Sequence, residues 1–306
     1  MNRKRKTDFY PYLYLAPALI SMIFLTLYPI IKTIYISFTN MNVQRLNNPD
    51  FIKFENYSKI LFGPLKDSFI PMFIWTLTFA GLTCLIGYAL GLMLALILNN
   101  KNIKERAVYK AILVLPWALP GTIALLSWQG LFNTEYGGIN KLLMSLGIIS
   151  SKIPWLQNVT LARIAILISS VWFTVPFMMN ACLGALTSIP QDYYEAAEID
   201  GANKWQKFVK ITMPTLAPAT YPLVISSFAH NFNNFSGIYM ITGGGPTGKS
   251  VWAGGTDILI SSAYKLVGEG MQAYGLASAL AVLVFIIIGS ITFVQMKLSG
   301  QFKEVN

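Results

Sequence analysis

Apolar residues along this chain fall into six long stretches with few charges, at roughly 12–38, 72–98, 108–132, 161–186, 215–241 and 273–296. Each is long enough to cross a hydrocarbon layer as a helix, which takes about 20 residues. The pattern predicts an all-α, polytopic membrane protein with six transmembrane helices. Composition agrees, because 54% of the 306 residues are hydrophobic and only 12% are charged, outside the range of soluble domains. A single membrane domain over 12–298 is expected, between a basic amino-terminal segment at 1–11 and a short tail at 299–306.

Orientation follows from Lys and Arg near the span ends, which cytoplasmic loops retain. The cluster Arg3, Lys4, Arg5 and Lys6 places the amino terminus inside. Alternation then puts Lys101, Lys104, Arg106 and Lys110 inside, together with Lys204, Lys207 and Lys210, and makes both termini cytoplasmic. The first stretch is too long for a signal peptide and no Ala-x-Ala site follows it, so it reads as an uncleaved helix. The net charge of +10 reflects this loop bias. Its basic positions are scattered and form no nucleic-acid motif. Cys84 and Cys182 fall within spans at no metal-ligand spacing and are expected to pack.

All thirteen Asp and Glu residues lie outside the six stretches. Ion-coupled carriers usually hold an ionisable group within the membrane, so their absence lowers that reading. Pro17, Pro29, Pro116, Pro120, Pro176 and Pro222 lie inside the stretches and are expected to kink helices and open gaps between them.

The segment 188–214 carries the most specific pattern. Ser188 and Gln191 stand at capping-box spacing, predicting a short helix after Ser188. Gly201 would end it, and a second short helix would run over 203–213 before Pro214 opens the next span. Ala196 and Ala197 present almost no side chain, so this helix could lie deep in a groove, oriented by Glu195. The run Glu195-Ala196-Ala197, Gly201, Ile211 and Pro214 resembles the EAA motif of the membrane subunits of binding-protein-dependent ABC importers. That resemblance implies a type I importer permease fold, with Glu195, Ala196, Ala197 and Gly201 coupling the membrane helices to a dimer of separate ATPase subunits.

Gly243-Gly244-Gly245-Pro246-Thr247-Gly248-Lys249-Ser250 satisfies the phosphate-loop pattern G-x-x-x-x-G-K-[ST]. It follows an apolar span rather than a strand and falls outside the cell in this topology. A tight external turn is therefore predicted, with no nucleotide bound here.

The fifth stretch is polar at Ser226-Ser227-Phe228-Ala229-His230-Asn231-Phe232-Asn233-Asn234. Ser227, Asn231 and Asn234 repeat at i, i+4, i+7, which predicts one helix face turned into the bundle or a wet cavity. Interhelical hydrogen bonding is one reading; recognition of a neutral, hydroxyl-rich ligand is the other. Ser170, Phe173, Thr174 and Phe177 share a face of the fourth stretch, and Trp117 lies between Pro116 and Pro120. Aromatic faces suit the C–H faces of sugar rings, although such a stripe also suits plain packing. His230 lies about 100° from Asn231 on the helix and reads as a packing residue, without partners for catalysis.

Leu115-Pro116-Trp117-Ala118-Leu119-Pro120, the 227–234 run and Ala253-Gly254-Gly255-Thr256-Asp257 resemble the maltose/maltodextrin branch of the permease family. This implies sugar contacts at Trp117, Gly121, Ser170, Phe173, Thr174, Phe177, Ser227, Asn231 and Asn234. Ser170 and Phe177 depart from the Asn and Tyr of that branch, which loosens the link to one sugar. The resemblance further implies a second homologous permease subunit, an external sugar-binding protein, a cell-membrane location, and ATP and Mg on the partner ATPase with no cofactor on this chain. The chain is then a transport subunit rather than an enzyme. A self-sufficient secondary carrier of a polar neutral solute is the alternative. Tyr136, Trp155 and Trp252 could face either the binding protein or the membrane interface.

Overall fold

The computed structural model describes residues 10–298 apart from 101, 249, 269 and 270. The basic cluster at 3–6, Asp8, Lys101, Lys249, Glu269 and the tail with Glu304 lie outside the described residues. Everything regular among them is helical; the extended pairings are two isolated bridges, Thr39 with Phe51 and Ser250 with Ala253. The chain forms two compact units, one of residues up to Leu65 with Ala263–Leu283, the other of Lys66–Ser262 with Val284 onward.

In the first unit, α1 (Tyr10–Met22) passes through a π-helical turn, Ile23–Leu27, into α2 (Tyr28–Ser37). Pro29 near the start of α2 has no N–H to donate to the preceding turn, which accounts for the widened ladder just before it. A short segment leads to α3 (Glu55–Leu61). Buried Asn56 holds it in place by donating to the carbonyls of Ser37 (2.9 Å) and Thr39 (2.8 Å).

The second unit begins with α4 (Lys66–Leu98), a single helix of 33 residues. After it come α5 (Arg106–Ala118), α6 (Gly121–Leu131), α7 (Gly138–Ser145) and α8 (Val159–Thr187). Next are α9 (Asp192–Ile199), α10 (Lys204–Lys207), a second π turn at Phe208–Thr212, α11 (Met213–Phe232) and α12 (Phe235–Thr242). Then α13 (Leu259–Val267) and α14 (Tyr274–Leu298) each begin in one unit and end in the other.

The principal packing is α4 against α8. Thr76, Ala80, Thr83, Gly87, Gly91 and Ala95 form a buried stripe of small residues along α4, the composition that lets membrane helices approach closely. A Cβ on Gly91 would lie 2.6 Å from Met178 Cβ and 2.8 Å from Met179 N, so glycine sets this separation. At one end Leu92, Ala95 and Leu98 join Met179, Cys182, Leu183, Leu186 and Leu216 in a core; at the other, Trp75 and Phe79 join Leu125, Ile166, Ile238, Ile241 and Ile258.

Leu13–Ser37, α4, α8 and Tyr274–Lys297 are long and apolar enough to cross a membrane, and α5 with α6, bent by 92°, forms either a fifth, broken span or a re-entrant loop. The predicted single helix over 108–132 is thus corrected. Pro116 is accommodated inside α5, and the break falls at Leu119, whose extended backbone (φ −82°, ψ 142°) is the conformation required before Pro120. The predicted helix over 215–241 is also corrected. It stops at Phe232, turns through Asn233 and Asn234, and resumes as α12. Serine, asparagine and histidine make this stretch less apolar than the other spans.

The segment at 243–258 lacks the geometry of a phosphate loop: helix α12 precedes it, and the next helix begins only at Leu259. It is a packed plug. Trp75 Nε1 donates to the Thr256 carbonyl (3.0 Å), and Arg163 Nε donates to that of Gly255 (2.9 Å). The Asp257 carboxylate, 1% exposed, accepts from Gly254 N (2.6 Å) and Ser261 Oγ (2.7 Å). Reading this segment only as a turn missed a buried acid outside the apolar stretches.

Candidate functional site

A cavity of about 410 Å³ opens among α5, α6, α8, α11 and α12, lined by Trp117, Gly121, Leu125, Ser170, Phe173, Thr174, Phe177, Ser226, Ser227, His230, Asn231, Asn234 and Gly237. All nine positions carried over to the sugar site from sequence therefore surround one cavity. Each arrives by a local rule. Trp117 lies in the last turn of α5 just before the bend, and Gly121 starts α6 just after it. Ser170, Phe173, Thr174 and Phe177 repeat on one face of α8, as their spacing requires. Thr174 Oγ1 donates to the Ser170 carbonyl (2.8 Å), and a Cβ on Gly87 would meet the Thr174 side chain at 2.6 Å, so α4 backs this wall closely.

Asn234 reaches the cavity by another route than the shared face predicted for it. Ser227 and Asn231 occupy successive turns of α11, whereas Asn234 lies beyond its end and caps α12, its Oδ1 accepting from Gly237 N (2.9 Å). That bond directs its –NH2 away from the cap. Asn231 is oriented oppositely: Nδ2 donates to the Ser227 carbonyl (2.8 Å), leaving Oδ1 as an acceptor. The hydroxyl of Ser170 is buried and has no hydrogen-bond partner. Unpaired buried hydroxyls cost about 1–3 kcal/mol, so this group is suited to a ligand or water.

Trp117 and Phe177 meet with ring centroids 5.8 Å apart and planes at 56°. Among the residues lining the cavity there is no Asp, Glu, Lys or Arg. Two polar residues were missed by sequence reasoning. Ser226 lines the wall, and His230 is an exposed wall residue rather than a packed, hydrogen-bonded one. The bend of α11 into α12 widens the arc of residues that face inward beyond a single helical stripe. With aromatic faces, hydroxyls and a split amide donor and acceptor, the cavity can bind a neutral ligand rich in hydroxyls.

The 188–214 segment forms a helix-turn-helix. Glu195 and Ala196 are exposed and Ala197 is half-buried on α9. Gly201 follows with φ +77°, the left-handed conformation glycine adopts most readily. The predicted Ser188 cap is corrected. Ser188 closes α8, its Oγ donating to the Ala185 carbonyl (2.8 Å), and α9 starts four residues later without a side-chain cap. The capping box is instead at Asn203 and Gln206, opening α10. From there helix runs without a break through the π turn into α11, with Pro214 near its start, so the predicted second short helix is part of the longer one.

Inward, Tyr194, Phe208, Ile211 and Met213 pack on the core formed by α4 and α8. Outward, Ile199 is 87% exposed and Trp205 70%. Between them a second cavity, about 390 Å³, is lined by Ala197, Asp200, Gly201, Ala202, Gln206, Lys207, Lys210 and Ile211. Lys207 pairs with Glu198 across its side at 2.5 Å and holds the Glu198 carboxyl below its ordinary range by hydrogen bond and charge.

Three comparisons bear on these features. The chain is 43% identical over 239 residues to the maltose/maltodextrin transport system permease protein MalF of Vibrio parahaemolyticus, a match covering 77% of this chain and 45% of that one. It is 35% identical over 302 residues to the galactooligosaccharides transport system permease protein GanP of Bacillus subtilis, covering 96% and 71%. The chain thus spans about half the length of MalF relatives and most of GanP. Its fold matches a chain from the crystal structure of a bacterial ABC transporter involved in the import of the acidic polysaccharide alginate, with a TM-score of 0.81, 24% identity and coverage of 97% and 96%. Residues 87–299, which hold both cavities, match the model of the binding-protein-dependent transport system inner membrane component, and the chain belongs to that family.

Proposed function

We propose that this chain is one of two related permease subunits of an ATP-driven importer, and that its transmembrane cavity takes a neutral oligosaccharide. The observation carrying this reading is a cavity lined by no Asp, Glu, Lys or Arg, walled by Trp117, Phe173 and Phe177 and provided with hydroxyls, carboxamides and the His230 imidazole. The structural relative serves an acidic polysaccharide; a chain of carboxylates would need cations that this wall does not supply. The sequence relatives serve maltodextrins and galactooligosaccharides, and both ligand classes are neutral and rich in hydroxyls. Maltodextrin is the narrower assignment we favour, on the higher identity of the MalF match.

In this reading α9 seats in a cleft of the ATPase subunit, with Glu195, Ala196, Ala197 and Gly201 at the contact, and both chain termini face the cytoplasm. ATP and Mg belong to the partner. An external binding protein delivers the sugar. The mechanical link is α8, whose middle carries Ser170, Phe173, Thr174 and Phe177 and whose end leads into α9. Closure of the ATPase pair would move α9 and, through α8 and α11, reshape the cavity walls. The test is uptake of a panel of neutral and acidic oligosaccharides by cells carrying Asn231→Ala. Loss of neutral-sugar uptake with the complex still assembled supports the assignment. Unaltered uptake across the panel removes Asn231 from the site.

A further inference from the structure

The segment joining α6 to α8 is fixed by internal polar bonds yet turns an aliphatic surface outward. Asn140, 2% exposed, donates from Nδ2 to the carbonyls of Thr134 (3.2 Å) and Ile153 (3.0 Å), and its Oδ1 accepts from Ile153 N (3.3 Å) and Trp155 Nε1 (3.0 Å). One carboxamide therefore pins α7 to the strands of chain before and after it. On the outside, Leu142, Met144, Leu146 and Ile148 are 58%, 42%, 62% and 64% exposed. Leu142 and Leu146 stand one turn apart, beside half-buried Ile139 and Leu143, while Lys141 and Ser145 share the adjoining polar arc.

On α6, which precedes α7, Ile123 is 64%, Leu126 48% and Leu131 41% exposed. The turn between is tight, with Gly137 N donating to the Asn133 carbonyl at 3.0 Å. With α5 and α6 crossing as one broken span, α7 follows directly on the end of that span, the level at which headgroups would meet acyl chains. Leu142 and Leu146 have Ile139 and Leu143 on one side and the Lys141–Ser145 arc on the other, with Met144 on the far side of that arc. This face carries no aromatic or arginine, the residues in which protein-docking faces are enriched. The occupant that fits an aliphatic face beside a lysine is the lipid interface.

We propose that α7 and the turn after it lie in the headgroup–acyl boundary, with Leu142, Leu146 and Ile148 among lipid chains and Lys141 toward lipid phosphates. Such an anchor has a clear use here. The 11 residues of α6 reach only about 16 Å, so this half of the broken span does not fix its own depth.

The test places a bimane label on Leu142→Cys or Leu146→Cys of the full chain in phosphatidylethanolamine–phosphatidylglycerol nanodiscs, with Ser145→Cys as the polar control. All three sites are exposed, and native Cys84 and Cys182 are buried. The proposal expects blue-shifted emission at 142 and 146, quenched by a shallow nitroxide lipid and spared by iodide, with the reverse at 145. Iodide quenching at 142 and 146 equal to that at 145 would overturn it. A shift that appears only when the second permease or a binding protein is added would also overturn it, in favour of a protein dock.

Discussion

The Tyr194 hydroxyl lies 2.9 Å from Thr212 Oγ1, joining α9 to the π turn that opens α11. Helix α9 carries the EAA residues, and α11 carries Ser227 and Asn231 at the cavity. This contact therefore links the two sites independently of α8. Tyr194→Phe keeps the ring in its packing and removes the bond, which is expected to lower stability by about 1 kcal/mol. In the reconstituted complex it should reduce sugar moved per ATP hydrolysed. An unchanged ratio would assign Tyr194 to packing alone.

Gly121 offers a way to narrow the cavity without disturbing the fold, because a Cβ there would meet nothing within 4 Å. Gly121→Leu should leave the melting temperature in detergent unchanged while reducing uptake of longer oligosaccharides more than shorter ones. Parallel loss of both would mean that the side chain misses the substrate path.

Ser170 separates ligand binding from stability. Its hydroxyl is buried and unpartnered, so Ser170→Ala should not destabilise the chain. If a sugar hydroxyl completes it, affinity should fall by about fivefold, the equivalent of about 1 kcal/mol. Isothermal titration of the assembled permease with oligosaccharide measures both the presence and the size of this loss.

The close approach of α4 and α8 predicts a different signature. Gly91→Ala forces a methyl against Met178 Cβ and Met179 N, and overpacking of this kind costs about 1–3 kcal/mol. Thermal unfolding should show it directly, whereas Gly81→Ala, whose Cβ would meet nothing within 4 Å, should cause no loss of stability and could raise it through helix propensity.

Acid should weaken the 188–214 segment through Glu198. Lys207 lowers its folded-state pKa below the ordinary value, so the pair's contribution is present in full above the unfolded carboxylate's pKa and is lost as pH falls through the folded one. Glu198→Gln should remove that part of the acid dependence. Melting curves of the two proteins should differ at neutral pH and converge in acid.

The helical class and the EAA segment were legible because each depends on a local pattern, span length or a short motif. Helical spacing grouped Ser170 with Phe173, Thr174 and Phe177, and Ser227 with Asn231, whereas Gly121 came only from the resemblance to the permease family. Continuity was not legible. Pro116 sits inside α5 while Leu119 and Pro120 break the chain, since the restriction falls on the residue before proline and tertiary packing decides which proline is tolerated. Asn233 and Asn234 end α11 although their spacing also fits a continuing helix, because Asn234 satisfies the amide of Gly237 instead. His230 was read from one helical wheel, and the turn after Phe232 brings in a wider arc. The plug at 243–258 is held by carbonyls of Gly255 and Thr256 meeting Arg163 and Trp75, contacts between distant parts of the sequence that no local pattern encodes.

The most direct measurement is oligosaccharide uptake in proteoliposomes that contain this chain, its partner permease and the ATPase, with and without ATP, for wild type and Gly201→Asp. The account predicts uptake of neutral oligosaccharide only with ATP, and in Gly201→Asp continued assembly with uptake lost. Uptake by this chain without ATP or the ATPase, unaffected by Gly201→Asp, would contradict it.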